Sequence, residues 1–266
     1  MQYLAPQQFA LIAHRGGSLE APENTLPAFE NAYEVYQEIY FELDTHESRD
    51  GKLIVIHDAT VDRTTNGHGS VADLTLLELS KLDWGYNFSR DGGSSFPYRG
   101  KKISVLQVQD VLENFPKTRV TIEMKKGGPS FSHKIIETIK RANAQTRVCI
   151  AAEDHKLLRK TWDLCPDLCS GYSKRELFFN FIWNRLSLPH FGPHRGQVVQ
   201  IPYIYNGHLI ASKSFIHRAH RRKKPVHVWT INDEATMRHL IETGVDGVIT
   251  DAPTLLLKVA RDLKKI

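Results

Sequence analysis

Short apolar runs of β character alternate with longer stretches of helical period along the whole chain. The β-type runs fall at 10–13, 39–43, 120–124, 148–151, 168–172, 198–201, 226–230 and 247–250. Helical stretches follow at 21–36, 105–114, 132–143, 155–164, 174–186, 213–222, 234–242 and 254–264. Strands that alternate with helices predict a parallel α/β fold. Eight such pairs favour a closed (β/α)8 barrel over an open sheet. Local signals agree: Asp233 is placed to cap the helix opening at Glu234, and Gly244 to end it in the left-handed conformation.

One β-type run, 53–57, has no helix of its own. It follows Asp50-Gly51, a strong hairpin turn pair, and Asp44 lies about as far before that turn as His57 lies after it. Strand two is therefore expected to rise above the barrel rim, reverse, and bring His57 back beside Asp44. From there to Lys102 the chain is rich in Gly, Ser, Asp and Asn, with one helical piece at 74–82. This reads as a small cap, about 46–103, inserted after strand two.

A length of 266 residues suits one such barrel, so 1–266 is read as a single unit. Apolar residues at 41% and charged residues at 24% are ordinary for a soluble globular protein. No apolar run approaches a membrane span, and no secretory leader is visible ahead of the first strand. Cys149, Cys165 and Cys169 form an odd set, not a disulfide framework. Together these features point to the reducing cytoplasm. Cys165 and Cys169 lack a second pair of soft ligands nearby and read as buried small hydrophobes before a zinc site. The net charge is +5, densest in the basic run 217–224. Without interleaved aromatics, that run reads as the solvated last turn of a helix before Pro225, and no nucleic-acid partner is expected.

Candidate chemistry sits where the strands end, which in such barrels is where active sites lie. His14 and Arg15 close the first strand. Glu42 and Asp44 close the second, on the same side of it by strand alternation. Glu123 and Lys125 close the next barrel strand, and Gln200, Trp229, Asn232 and Asp251 end later ones. Three converging carboxylates repel unless a cation sits among them. Glu42, Asp44 and Glu123 therefore suit a hard divalent ion, Mg²⁺ or Ca²⁺, or else pair with Arg15 and Lys125 as a structural network. His14 and His57 beside such acids fit the two proton transfers of phosphodiester cleavage. Arg15 and Lys125 would hold the non-bridging oxygens.

The motifs AHRGG at 13–17, APENT at 21–25, FELD at 41–44, DGKLIVIHD at 50–58 and DRTTNG at 62–67 resemble the glycerophosphodiester phosphodiesterase family. So do IEMK at 122–125, VHVWTIND at 226–233 and GVDGVITDAP at 244–253. The resemblance covers nearly the whole chain and is specific in its order and spacing. It implies a TIM-type barrel with a cap after strand two. It also implies metal-binding Glu42, Asp44 and Glu123, an acid–base pair His14 and His57, and a phosphate contact at Arg15. Glu23 and Asn24 match a motif beside the metal, and they also stand where they could begin a helix. Lys125 is matched to phosphate and Trp229 to a wall of the substrate site.

Two stretches depart from the family pattern. Residues 103–107 lack its usual Pro-Thr and acidic residues where the chain re-enters the barrel, which bears on packing and not on chemistry. Residues 177–183 are more apolar than an outer helix needs. They are read first as buried against the sheet, and alternatively as a greasy lip for an acyl chain or bilayer. Three functions remain in view. The first is hydrolysis of glycerophosphodiesters such as glycerophosphocholine to sn-glycerol 3-phosphate and an alcohol. The second is a lysophospholipase D releasing lysophosphatidic acid or its cyclic form, helped by transient membrane-surface contact through 178–183 and the basic run. The third is a silent scaffold on the same fold.

Overall fold

A computed structural model of the protein describes residues 2–4, 9–185 and 195–266, with the backbone alone for 180–185. Its strands are β1 (Ala10–His14), β2 (Tyr40–Glu47), β3 (Leu53–Val55), β4 (Val120–Lys126), β5 (Val148–Ala151), β6 (Cys169–Ser170), β7 (Val199–Pro202), β8 (Ile204–Tyr205), β9 (His208–Leu209), β10 (Val226–Trp229) and β11 (Gly247–Thr250). Eight of them pair in parallel in the order β6-β5-β4-β2-β1-β11-β10-β7. A parallel bridge between Gly171 and Val198 joins the two ends of that order, so the sheet closes on itself. Helices α1 (Leu26–Val35), α3 (Val108–Asn114), α4 (Phe131–Arg141), α5 (His155–Leu164), α6 (Lys174–Arg185), α7 (Lys213–His220), α8 (Glu234–Thr243) and α9 (Pro253–Asp262) alternate with the barrel strands. The short α2 (Leu76–Leu79) lies in the cap. This is the TIM-type (β/α)8 barrel that the pattern implies.

Strand alternation sorts the core into two sets. Leu11, Phe41, Leu43, Ile122, Ile150, Ile201 and Val228 face outward into one apolar cluster with the helices. Ala10, Ile12, Tyr40, Cys149, Cys169, Val198 and Ile249 face inward and, with Tyr3, plug the barrel. A one-residue slip of β2 would turn Glu42 and Asp44 into the helix layer. Each aliphatic side chain exposed in exchange would cost about 1.5–3 kcal/mol, so the register is well defined.

The returning hairpin forms as expected. Strand β3 pairs antiparallel with β2, Thr45 opposite Val55 and Glu47 opposite Leu53, across a turn in which Gly51 adopts φ +75°. Ile54, Ile56, Val61, Val71, Leu79, Trp84 and Ile103 give the cap a small core of its own. The re-entry segment packs without the family's usual residues. Val55 donates to the Leu106 carbonyl at 2.8 Å, and Gln107 with Asp110 caps α3.

Two expectations need correcting. The first helix starts at Leu26 and not at 21, because Asn24 sits at φ +57° and turns the chain back. Its N-cap position is Thr25, so neither Glu23 nor Asn24 caps it. The hairpin β8–β9 is absent from the sequence reading, although its turn Asn206-Gly207, with φ +48° and +76°, is the commonest two-residue hairpin signal. The basic run ends α7 and leads into the start of β10, so it lies at the N-terminal face of the barrel. Phe178 and Phe179 are exposed on α6. The side chains of Phe181, Ile182 and Trp183 lie outside the described residues.

Candidate active site

The inward positions that form the apolar plug turn polar toward the C-terminal ends of the strands. His14 on β1 pairs in register with Glu42 on β2, and Asp44 with Glu123 on β4. One carboxylate oxygen each from Glu42, Asp44 and Glu123 lies within 4.8 Å of the others. Asp44 is fully buried and Glu42 nearly so.

The turn after β1 is shaped to aim Arg15. Arg15, Gly16 and Gly17 all take positive φ, at +52°, +82° and +98°. A Cβ on Gly16 would stand 2.8 Å from that of Ala28 in α1, so only glycine lets the turn seat on the helix. The Arg15 amide donates to Glu42 Oε2 at 3.2 Å. Its guanidinium reaches Asp44 Oδ2 at 3.2 Å and Glu23 Oε1 at 3.0 Å. Asn24 donates through its amide nitrogen to Asp44 Oδ2 at 3.1 Å. Glu23 and Asn24 therefore bear on the site through Arg15 and Asp44.

Lys125 bridges Asp44 Oδ1 at 3.1 Å and Glu123 Oε2 at 2.9 Å. Two cations thus face three carboxylates, and the imbalance falls on Glu42. Burial and the charge of Asp44 push its carboxyl up to about 8. Asp44 stays ionised: burial opposes this, but the Lys125 and Arg15 charges outweigh it and lower its pKa. The structural network is thus partly formed, and it leaves one acid uncompensated. A divalent ion would take the place of the Glu42 proton, so the donor set fits a hard cation.

Both histidines are gripped in the same way. His14 Nδ1 lies 2.7 Å from Asp251 Oδ1, and His57 Nδ1 lies 2.7 Å from Asp58 Oδ1. Hydrogen bonds from Arg63 and His57 hold Asp58 at about 2. Burial works against ionisation of Asp251, but hydrogen bonds from His14, Ser18 and Asn232 bring it to about 2. An ionised carboxylate only accepts, so each Nδ1 carries a proton. His14 Nε2 stands 3.9 Å from Glu42. Burial disfavours the imidazolium of His14, yet the Asp251 hydrogen bond and the nearby carboxylates raise its pKa. His57 is brought beside Asp44 by the hairpin, where the Ile56 amide donates to the Asp44 carbonyl at 3.1 Å. From β2, His46 Nε2 donates to the His57 carbonyl at 3.0 Å.

The remaining candidates separate by height. Trp229 ends β10 opposite Pro202 with 41% of its surface exposed, at the mouth. Gln200 lies lower, its amide 3.5 Å from Thr121 Oγ1, one inward position below Glu123. Sequence reasoning left Asp58, Arg63 and His46 without roles. Asp58 was legible, since it follows His57 directly. Arg63 and His46 act through contacts that no local pattern displays.

A parallel (β/α)8 barrel with acids, imidazoles and cationic side chains at its C-terminal mouth has the groups that a hydrolase of the phosphodiesterase class needs. Residues 14–255 match the model of the glycerophosphoryl diester phosphodiesterase family, and the chain belongs to that family. A glycerophosphodiester phosphodiesterase of Caldanaerobacter subterraneus is 34% identical over 94% of this chain and 97% of its own. A human lysophospholipase D is 27% identical over 92% of this chain and 84% of its own. The crystal structure of an Oleispira antarctica phosphodiesterase in complex with the product sn-glycerol-3-phosphate superposes with a TM-score of 0.74. It is 22% identical and covers 96% of this chain and 97% of that one.

Proposed function

We propose that the whole chain acts as one barrel unit, capped by about 46–103, that hydrolyses glycerophosphodiesters such as glycerophosphocholine to sn-glycerol 3-phosphate and an alcohol. The observation that carries this reading is the pair of carboxylate-held imidazoles beside an acidic triad, two of its members buried and Glu123 half-buried. Glu42, Asp44 and Glu123 would hold Mg²⁺ or Ca²⁺, which supplies charge neutralisation at the phosphate and acidifies an attacking hydroxyl. Arg15 and Lys125 bind the non-bridging oxygens and stabilise charge as it grows there. One imidazole takes a proton at Nε2 from water or the substrate's own 2-hydroxyl, and the other returns one to the departing oxygen. Trp229 walls the organic group, and Gln200 with Thr121 forms the floor. The odd cysteine set, free in all three positions, fits the cytoplasm as the compartment. A substrate panel run with Mg²⁺, Ca²⁺ and EDTA tests the reading. His57→Ala or Glu42→Ala should lose orders of magnitude in kcat, and near-normal turnover by either variant refutes the assignment.

One observation favours lysophospholipids as a second substrate class. The exposed large apolar side chains among the described residues are Leu19, Leu77, Phe178, Phe179, Ile204, Tyr205, Leu209 and Trp229. Leu19 follows β1, Ile204, Tyr205 and Leu209 follow β7, and Trp229 ends β10, all at C-terminal ends of barrel strands. Phe178 and Phe179 lie in the second turn of α6, and Leu77 in the cap. An acyl chain or a transient membrane contact would meet this rim. The basic run, at the opposite face, has no part in it. No helix among the described residues is long and apolar enough to cross a membrane.

A further inference from the structure

The cap sends one side chain into the catalytic cluster, and each nitrogen of its guanidinium donates to a carboxylate of the chain. Arg63 follows Val61, which is buried in the cap core, and Thr65 ties the same turn by donating to the Val61 carbonyl at 2.8 Å. Arg63 Nε donates to Asp58 Oδ2 at 2.7 Å. Its Nη1 and Nη2 donate to the two oxygens of Glu23 at 2.6 and 2.7 Å. All three nitrogens of the guanidinium are thus directed at carboxylates of the chain. The other oxygen of Asp58 holds His57 Nδ1 at 2.7 Å, and Glu23 Oε1 also holds Arg15 Nη1 at 3.0 Å. A continuous series of contacts, Arg15–Glu23–Arg63–Asp58–His57, connects the phosphate-facing guanidinium with an acid–base imidazole.

We propose that Arg63 is a positioning residue, supplied by the cap, that fixes the tautomer and direction of His57 and the reach of Arg15. A carboxylate bonded through one oxygen can still rotate; a second bond to the other oxygen fixes its plane. The fork of an arginine spans both Asp58 and Glu23, which the point charge of a lysine cannot do. With 48% of the Arg63 side chain exposed, these pairs add little stability, and what they set is geometry. The catalytic consequence rests on the diesterase reading above; the positional claim does not.

The test uses the full chain with Arg63→Met and Arg63→Lys. In imidazole ¹⁵N–¹H spectra, wild-type His57 should show the Nδ1-protonated form. Arg63→Met should mix it with the Nε2-protonated form, with Arg63→Lys between them. On glycerophosphocholine, Arg63→Met should lower kcat/KM by about 10–100-fold with the larger share in kcat. In a Glu23→Gln, Asp58→Asn background the same substitution should add less than about threefold, since the partners it acts through are gone. An unchanged His57 tautomer in Arg63→Met overturns the proposal. So do losses that simply multiply, because a merely loosened cap would cost the same in every background. A wild type inert on every phosphodiester would sink the assigned function, while the tautomer spectra would still decide the position of His57.

Discussion

His14 Nδ1 and Asp251 Oδ1 stand 2.7 Å apart although 237 positions separate them. The first barrel strand carries the imidazole and the last delivers the carboxylate, and the two strands are hydrogen-bonded neighbours. Asp251→Asn should keep the fold but free the tautomer, since an amide accepts or donates equally well. We expect kcat to fall by about 10²–10⁴-fold with little change in KM, measured by steady-state kinetics. A loss confined to KM would assign Asp251 to substrate binding and not to holding His14.

The same carboxylate links stability to pH. Its folded pKa of about 2 lies below its ordinary value, so its contribution is complete above about pH 4 and fades as pH falls through 2. The full contribution is about 2 kcal/mol. In urea unfolding, the gap between wild type and Asp251→Asn should narrow by about 1 kcal/mol from pH 5 to pH 3. A gap that stays constant would mean that folding does not lower the pKa of Asp251.

Metal removal is the third case. EDTA should abolish turnover, and Mg²⁺ or Ca²⁺ should restore it. Independently of activity, ion at 100 times its dissociation constant should stabilise the fold by about 2.7 kcal/mol. Melting curves should show that gain in wild type and lose it in Glu123→Ala. Equal gains in both would place the ion elsewhere.

Gly16→Ala tests the turn that aims Arg15. Its positive φ and the 2.8 Å approach of a new Cβ to Ala28 should cost about 1–3 kcal/mol. Thermal melting reads the cost. An unchanged midpoint would show that the turn can move aside.

For the apolar rim, Tyr205→Ser with Leu209→Ser should depress turnover of lysophosphatidylcholine and spare glycerophosphocholine. Equal effects on both substrates would remove the case for an acyl contact.

The alternation of apolar runs was enough to read the barrel, because each strand buries one face and shows the other to the helices. Asp50-Gly51 gave the returning hairpin and with it the meeting of His57 and Asp44. Asn206-Gly207 carried the same signal for β8–β9, but each of its strands is only two residues long, too short to show an alternation. The acidic triad was legible from strand ends. The dyad of His57 and Asp58 lies within one dipeptide, whereas that of His14 and Asp251 appears only once the ring closes. The start of α1 escaped the pattern because the left-handed Asn24 leaves no trace in the apolar positions. Arg63 was invisible for a related reason: its partners come from a turn before α1 and from the end of the hairpin.

Strand β11 fills the place between β1 and β10. A nascent polypeptide that has not yet extruded Gly247–Thr250 from the ribosome has an open seam and an imidazole without its anchor. Closure of the ring and anchoring of that imidazole are thus one event, both waiting on the same late segment.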